Sequence, residues 1–323
     1  MASALRLDHV TKRYGDTVAV NDVSLVAEPG RLFGLLGPNG AGKTSTIRMV
    51  THITTPDAGT ITLGGEPVGP GTQARMGYLP EERGLYRKLK VGEQLVYLAR
   101  LKGMAPPDAK AAVRRWLDRF DGTDWAGKKT EELSKGMQQK VQFISTVVHD
   151  PSLVILDEPF SGLDPLNADL LVEVIGELRE AGRVVLFASH RMESVEMLCD
   201  DLCLIARGRV VLQGGLREVK RRFGRDTVSV AFDGDGRWLD GLVAADAVRV
   251  LTRTDGLVSV RLAGAAPRDV LQAALAGGVE VDRFEVHEPP LADIFRQAVA
   301  GGSGVEGRGA PGPPAKTAVA PEA

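Results

Sequence analysis

Gly37-Pro38-Asn39-Gly40-Ala41-Gly42-Lys43-Thr44 reads G-x-x-x-x-G-K-[ST], and these residue types suit one task. A triphosphate crowds several negative charges into a small volume. Backbone N–H groups surround it only where no Cβ intrudes, which is the use of Gly37, Gly40 and Gly42. Pro38, Asn39 and Ala41 complete the turn between them. The free N–H groups at the start of a following helix add partial positive charge. Lys43 sets a full charge against the β- and γ-phosphates, the Thr44 hydroxyl is a ligand for Mg2+, and Ser45 continues the same turn. The motif needs a buried strand before it and a helix after it. Arg31 to Gly37 is an almost continuous apolar run, and a helix is expected from about Lys43.

A second set of reactive side chains ends the apolar run LVILDEP, at Asp157 and Glu158. A buried strand that ends in two acids is costly unless they serve a cation or a reaction. Asp157 would hold Mg2+ through water. Glu158 would orient and polarise the water that attacks the γ-phosphate. Alone, these letters read equally well as a strand entering an acidic turn; beside the phosphate loop the catalytic reading is preferred.

The elements that must position these residues alternate. LVILDEP is followed by a helical stretch, PLNADLLVEVIGELREAG, and by the apolar run RVVLFASH. Strand–helix alternation of this kind builds a parallel sheet wrapped by helices. Before it, alternating apolar residues at Val18, Val20, Val23 and Leu25 predict short strands. Residues of about 87–149 are mostly helical, with Val113, Trp116, Leu117 and Phe120 at helical spacing. From 226 to 299 short alternating strands and two helices predict a small α+β accessory domain. The Gly-, Pro- and Ala-rich segment 301–323 is expected to be disordered.

With 323 residues, 43% hydrophobic and 25% charged, the chain has the composition of an ordinary folded protein of one large and one smaller domain. A formal net charge of -2 gives no global attraction to nucleic acid, and none is expected as a partner. The local basic groups, Arg114, Arg115 and Arg119 and also Lys220, Arg221 and Arg222, read as solvated helix faces. Cys199 and Cys203 read as buried structural thiols. No run approaches the roughly 18 apolar residues of a membrane span, and the N-terminus is expected to be a strand, not a signal peptide.

The order of motifs from residue 5 to about 220 resembles that of the ABC ATPases. Leu133-Ser134-Lys135-Gly136-Met137-Gln138-Gln139 resembles their signature sequence. Ser161-Gly162-Leu163-Asp164 resembles the D-loop, His190 the switch histidine, and Tyr14 the aromatic residue that stacks on adenine. The resemblance implies a P-loop NTPase fold: a mainly parallel core sheet, an antiparallel β subdomain and a helical insert within residues 1–222. It implies ATP hydrolysis with Lys43, Glu158 and His190 in catalytic roles. It also implies a head-to-tail dimer, in which Ser134, Lys135, Gly136 and Asp164 of one subunit approach the nucleotide held by the other. Two departures stand out. The signature normally reads Ser-Gly-Gly-Gln, so Lys135 and Met137 are substitutions. Glu81 stands where the family's Q-loop has a glutamine; it offers oxygen to Mg2+ but adds negative charge.

The segments GYLPEERGLY, LSKGMQQK and HEPPLADIF together resemble the bacterial sodium-extrusion and multidrug export branch, whose permease is a separate polypeptide. That implies an integral membrane permease as partner, with the ATPase in the cytoplasm, peripheral at the cytoplasmic membrane face. Tyr78, Leu85, Tyr86 and Leu89 read equally well as permease contacts or as core. An ABC ATPase acting on ribosomes or DNA is the alternative. It usually carries two motor domains, a coiled-coil insertion or zinc modules, and none is visible.

Overall fold

The runs LFGLL at 32–36, LVILD at 153–157 and VVLFAS at 184–189 are buried at every position. Strands covered on both faces need no polar alternation, and these three lie side by side. The computed structural model describes residues 4–82, 84–224 and 226–300; the tail expected to be disordered, 301–323, lies outside the described residues.

In chain order the first elements are β1 (Leu5–Tyr14), β2 (Thr17–Ala27), β3 (Leu32–Leu36), α1 (Lys43–Val50), β4 (Ala58–Leu63), β5 (Glu66–Pro67), β6 (Met76–Leu79), α2 (Val91–Leu101), α3 (Pro106–Arg119) and α4 (Lys135–Val147). Next come β7 (Leu153–Asp157), α5 (Pro165–Glu180), β8 (Val184–Ser189), α6 (Met192–Leu198), β9 (Asp201–Ala206), β10 (Arg209–Gly215) and α7 (Leu216–Arg222). The C-terminal elements are β11 (Thr227–Asp233), α8 (Asp240–Ala244), β12 (Val248–Thr254), β13 (Leu257–Leu262), α9 (Pro267–Ala276), β14 (Glu280–His287) and α10 (Leu291–Ala300).

The central sheet has the order β10-β9-β3-β8-β7-β6, parallel except for β10. Its register pairs Leu36 with Ser189 and Asp157 with Ala188. The loop after β3, the acids after β7 and the histidine after β8 therefore leave one edge together, where open α/β sheets gather ligands. One face packs on α2 to α5; the other packs on α1 and the antiparallel sheet β2-β1-β4-β5. The fold is thus an α/β P-loop NTPase architecture, as expected. The stretch CDDLCLIARG, 199–208, reads as a helix end followed by a strand, and α6 does end at Leu198 ahead of β9; the return strand β10 was not anticipated from the sequence. Cys199 and Cys203 are buried, and burial pushes the Cys203 thiol up to about 12.

The antiparallel sheet β12-β13-β11-β14 builds its own core with α9, around Val228, Val230, Phe232, Val260 and Val270. Helix α10 does not join that core. Leu291 and Ile294, 2% and 0% exposed, pack into the cluster of the first domain, with Val195, Leu216 and Val219. The Leu291 N–H donates to Glu196 Oε1 at 2.6 Å, and Lys220 Nζ lies 3.1 Å from the same oxygen. The sequence reading places this helix in the accessory domain of 226–299; in the fold its apolar side packs on the motor core beside α6.

Candidate active site

The phosphate loop leaves β3 through glycines that cannot be replaced cheaply. Gly37 has φ 154° and Gly42 has φ 111°. A Cβ on Gly37 would come within 2.2 Å of the Ile205 carbonyl oxygen, and one on Gly42 within 2.5 Å of the Ala19 oxygen. Helix α1 then begins at Lys43 with no side-chain cap, so its first N–H groups face the loop. Lys43 is 9% exposed, and its ammonium donates to the Gly37 and Pro38 carbonyls at 2.6 and 3.1 Å. Burial lowers its pKa, against the pull of Asp157, Glu158 and Glu81.

A cavity of about 450 Å³ opens over this loop, lined by Ala19, residues 39–45, Glu81, Asp157, Glu158 and His190. Asp157 ends β7 at 5% exposure. Burial, then the charges of Glu81 and Glu158, push its carboxyl up to about 6, with Lys43 opposing. Glu158 has φ 49°, a conformation rare for a residue with a Cβ and concentrated at functional sites. Three donors fix its carboxylate. The His190 N–H reaches Oε1 at 2.7 Å, the His190 ring Nδ1 lies 2.6 Å from Oε1, and the Ser189 hydroxyl donates to Oε2 at 3.0 Å. The carboxylate is thereby aimed from two sides and set beside Asp157 and Lys43. Such a group can orient a water at a phosphate held by the loop.

Two family models match the chain: "ABC transporter" over residues 20–161 and "ATP-binding protein DrrA1-3-like, C-terminal domain" over residues 214–299. The chain is 48% identical over 295 residues to the uncharacterized ABC transporter ATP-binding protein YhaQ of Bacillus subtilis (strain 168), spanning 91% of this chain and 98% of that one. The chain belongs to the ABC transporter ATP-binding proteins. The Nod factor export ATP-binding protein I of Cupriavidus metallidurans is 37% identical over 237 residues, 72% of this chain and 78% of that one. A solved structure described as the ATP-binding subunit of an ABC transporter matches with TM-score 0.64 and 31% identity, over 68% of this chain and 92% of that one.

As a member of that family this ABC protein is an ATPase, and its cavity collects part of the expected site. Asn39, Gly40, Ala41, Gly42, Lys43, Thr44, Ser45, Glu81, Asp157, Glu158 and His190 line it; Gly37 and Pro38, at the start of the loop, and Tyr14, Ser134, Lys135, Gly136 and Asp164 do not. Ser134 caps α4, its hydroxyl accepting from the Met137 N–H at 3.3 Å. Asp164 caps α5, accepting from the Asn167 N–H and side-chain amide, and these bonds hold its carboxyl below the usual range. Tyr14 is 45% exposed at the end of β1, with the Lys12 ammonium 5.7 Å from its ring centre. Ala19 and Ser189 were missed in the sequence. Ala19 carries no chemical signal, whereas Ser189 could have been suspected as the hydroxyl before His190.

Proposed function

We propose that this ABC ATPase binds ATP with Mg2+ between two copies of itself and drives export through a separate integral membrane permease. The observation that carries the reading is the single cavity shared by the phosphate loop, Asp157, Glu158 and His190. Lys43 and the first amides of α1 would neutralise the β- and γ-phosphates. Glu158, steadied by His190 and Ser189, would orient the attacking water. Thr44, Asp157 and Glu81 would hold Mg2+. This oxygen set suits a hard divalent cation, and the crowding that raises Asp157 is what a cation relieves. Bound Mg2+ would offset charge on the transferring phosphoryl group.

Ser134, Lys135 and Gly136 sit at the open N-terminus of α4, a second helix end able to meet an anion. A second copy, turned head to tail, would bring that end, and Asp164, to the γ-phosphate. Tyr14 is exposed on the strand before Ala19 and available to adenine.

Among the described residues no helix is long and apolar enough to cross a membrane. A place at the cytoplasmic membrane face would come from docking to the permease. Tyr86 and Leu89 are exposed, at 57% and 43%, while Tyr78 and Leu85 are partly buried against the core, so the first pair suits a permease helix better. Export is supported by the relative named for Nod factor export. The test is crosslinking in membranes followed by mass spectrometry. A crosslink from Tyr86 or Leu89 to an integral membrane protein is expected; recovery without any membrane protein contradicts the transport role.

A further inference from the structure

Helix α4 turns three polar residues toward the sheet: Gln139, Gln142 and Thr146, each no more than 4% exposed. Spacings of three and four residues place them on one stripe. An apolar side chain would fill each position without burying an amide or a hydroxyl.

The two glutamines are directed at strand ends of the active site, whereas the Thr146 hydroxyl donates at 3.0 Å to the Gln142 carbonyl of its own helix. Gln139 Nε2 donates at 2.9 Å to the carbonyl of Pro159, the residue after Glu158. Gln142 Nε2 donates to the carbonyls of Pro80 and Glu82, both at 3.1 Å. Those two carbonyls flank Glu81. The Thr146 hydroxyl lies 3.4 Å from the Tyr78 carbonyl. Helix and strand are in close contact here, since a Cβ on Gly77 would sit 2.1 Å from the Thr146 carbonyl oxygen.

The choice of glutamine at 142 follows from counting hydrogens. An amide NH2 serves two carbonyls at once; a hydroxyl serves one, and an ammonium would bury a charge. The two acceptors also fix which end of the amide faces them. The other end has no such pairing: Gln142 Oε1 is buried with no hydrogen-bond partner among the described residues. A residue kept only for packing would not retain such an oxygen.

We infer that Gln142 is the positioning residue for Glu81. Its amide clasps the peptide units on both sides of that acid, and so fixes where the carboxylate enters the cavity. Because α4 begins at the Ser134 turn, the clasp also ties the signature helix to the metal site. The inference rests on the reading of Glu81 as a Mg2+ ligand, and the test separates the two.

Mn2+ replaces Mg2+ as the probe, titrated by electron paramagnetic resonance into the full-length protein with bound ADP. Gln142→Met keeps the side chain's length and loses both donors; Gln142→Leu is the second variant should the first not fold. Each is expected to weaken Mn2+ binding on the order of tenfold, the usual scale for groups that support a metal ligand. ADP affinity in EDTA should stay within about twofold of wild type, because Gln142 does not line the cavity over the phosphate loop. In a Glu81→Ala background the same substitution should add less than about twofold, since its only route to the metal is gone. Unchanged Mn2+ affinity in the single variant overturns the inference. So does a full tenfold loss that persists without Glu81, or a parallel loss of ADP affinity in EDTA. If Glu81→Ala itself leaves Mn2+ affinity unchanged, the metal role of Glu81 fails first and Gln142 loses its role with it.

Discussion

Asp157→Asn should make the metal- and nucleotide-free protein more stable at neutral pH. Asp157 is 5% exposed and shares its cavity with Glu81 and Glu158. Burial and those two charges raise its carboxyl from the ordinary 3.8 to about 6. A native pKa above the unfolded value means that the folded state holds the proton more tightly. The stabilisation is complete below pH 3.8 and is lost as pH rises through 6. At about 1.4 kcal/mol per tenfold change in proton affinity, the ionised carboxylate costs the native state about 3 kcal/mol above pH 7. Asparagine keeps the shape without the charge. In urea unfolding at pH 7.5 the variant should gain about 2 kcal/mol, some benefit being lost to its imperfectly paired amide. At pH 5 the wild-type carboxyl is mostly protonated, and the gap should shrink by about 1.4 kcal/mol. Saturating Mg2+ and ATP should reverse the order, because only the wild type gains a charge partner. A variant less stable than wild type at pH 7.5 without metal, or a gap that ignores pH, refutes the reasoning.

Lys43→Ala should lose about 2–5 kcal/mol of ATP binding, read by titration calorimetry, since it removes the charge set against the phosphates; near-wild-type affinity contradicts the phosphate role. Ile294→Ala should destabilise the first domain by about 2–5 kcal/mol in urea, the cost of a cavity in its core. A loss under about 0.5 kcal/mol would mean that α10 is not seated there.

The central sheet was legible because β3, β7 and β8 are buried on both faces and so spell out continuous apolar runs. The phosphate loop was legible because its glycines answer to backbone geometry alone, through positive φ at Gly37, Gly40 and Gly42 and close carbonyls at Gly37 and Gly42. Other features depend on partners distant in sequence. The positive φ of Glu158 and its clasp by Ser189 and His190 exist only once β7 and β8 pair. The apolar side of α10 could be read, but not which core it covers; Glu196, 95 residues earlier, receives its first N–H. Gln142 gave no signal, because a glutamine in a helix ordinarily faces water. Ser134 and Asp164 were read as signature and D-loop residues and not as helix caps, which is what both side chains are in the fold.

The dimer is tested most directly by sedimentation of Glu158→Gln with ATP and Mg2+, alongside the same variant carrying Ser134→Arg. The account predicts a species of twice the 34.5 kDa chain mass with ATP, none with ADP, and none when the Ser134 turn is blocked. An ATP-loaded protein that stays at 34.5 kDa at every concentration, paired with wild-type turnover in Ser134→Arg, contradicts it.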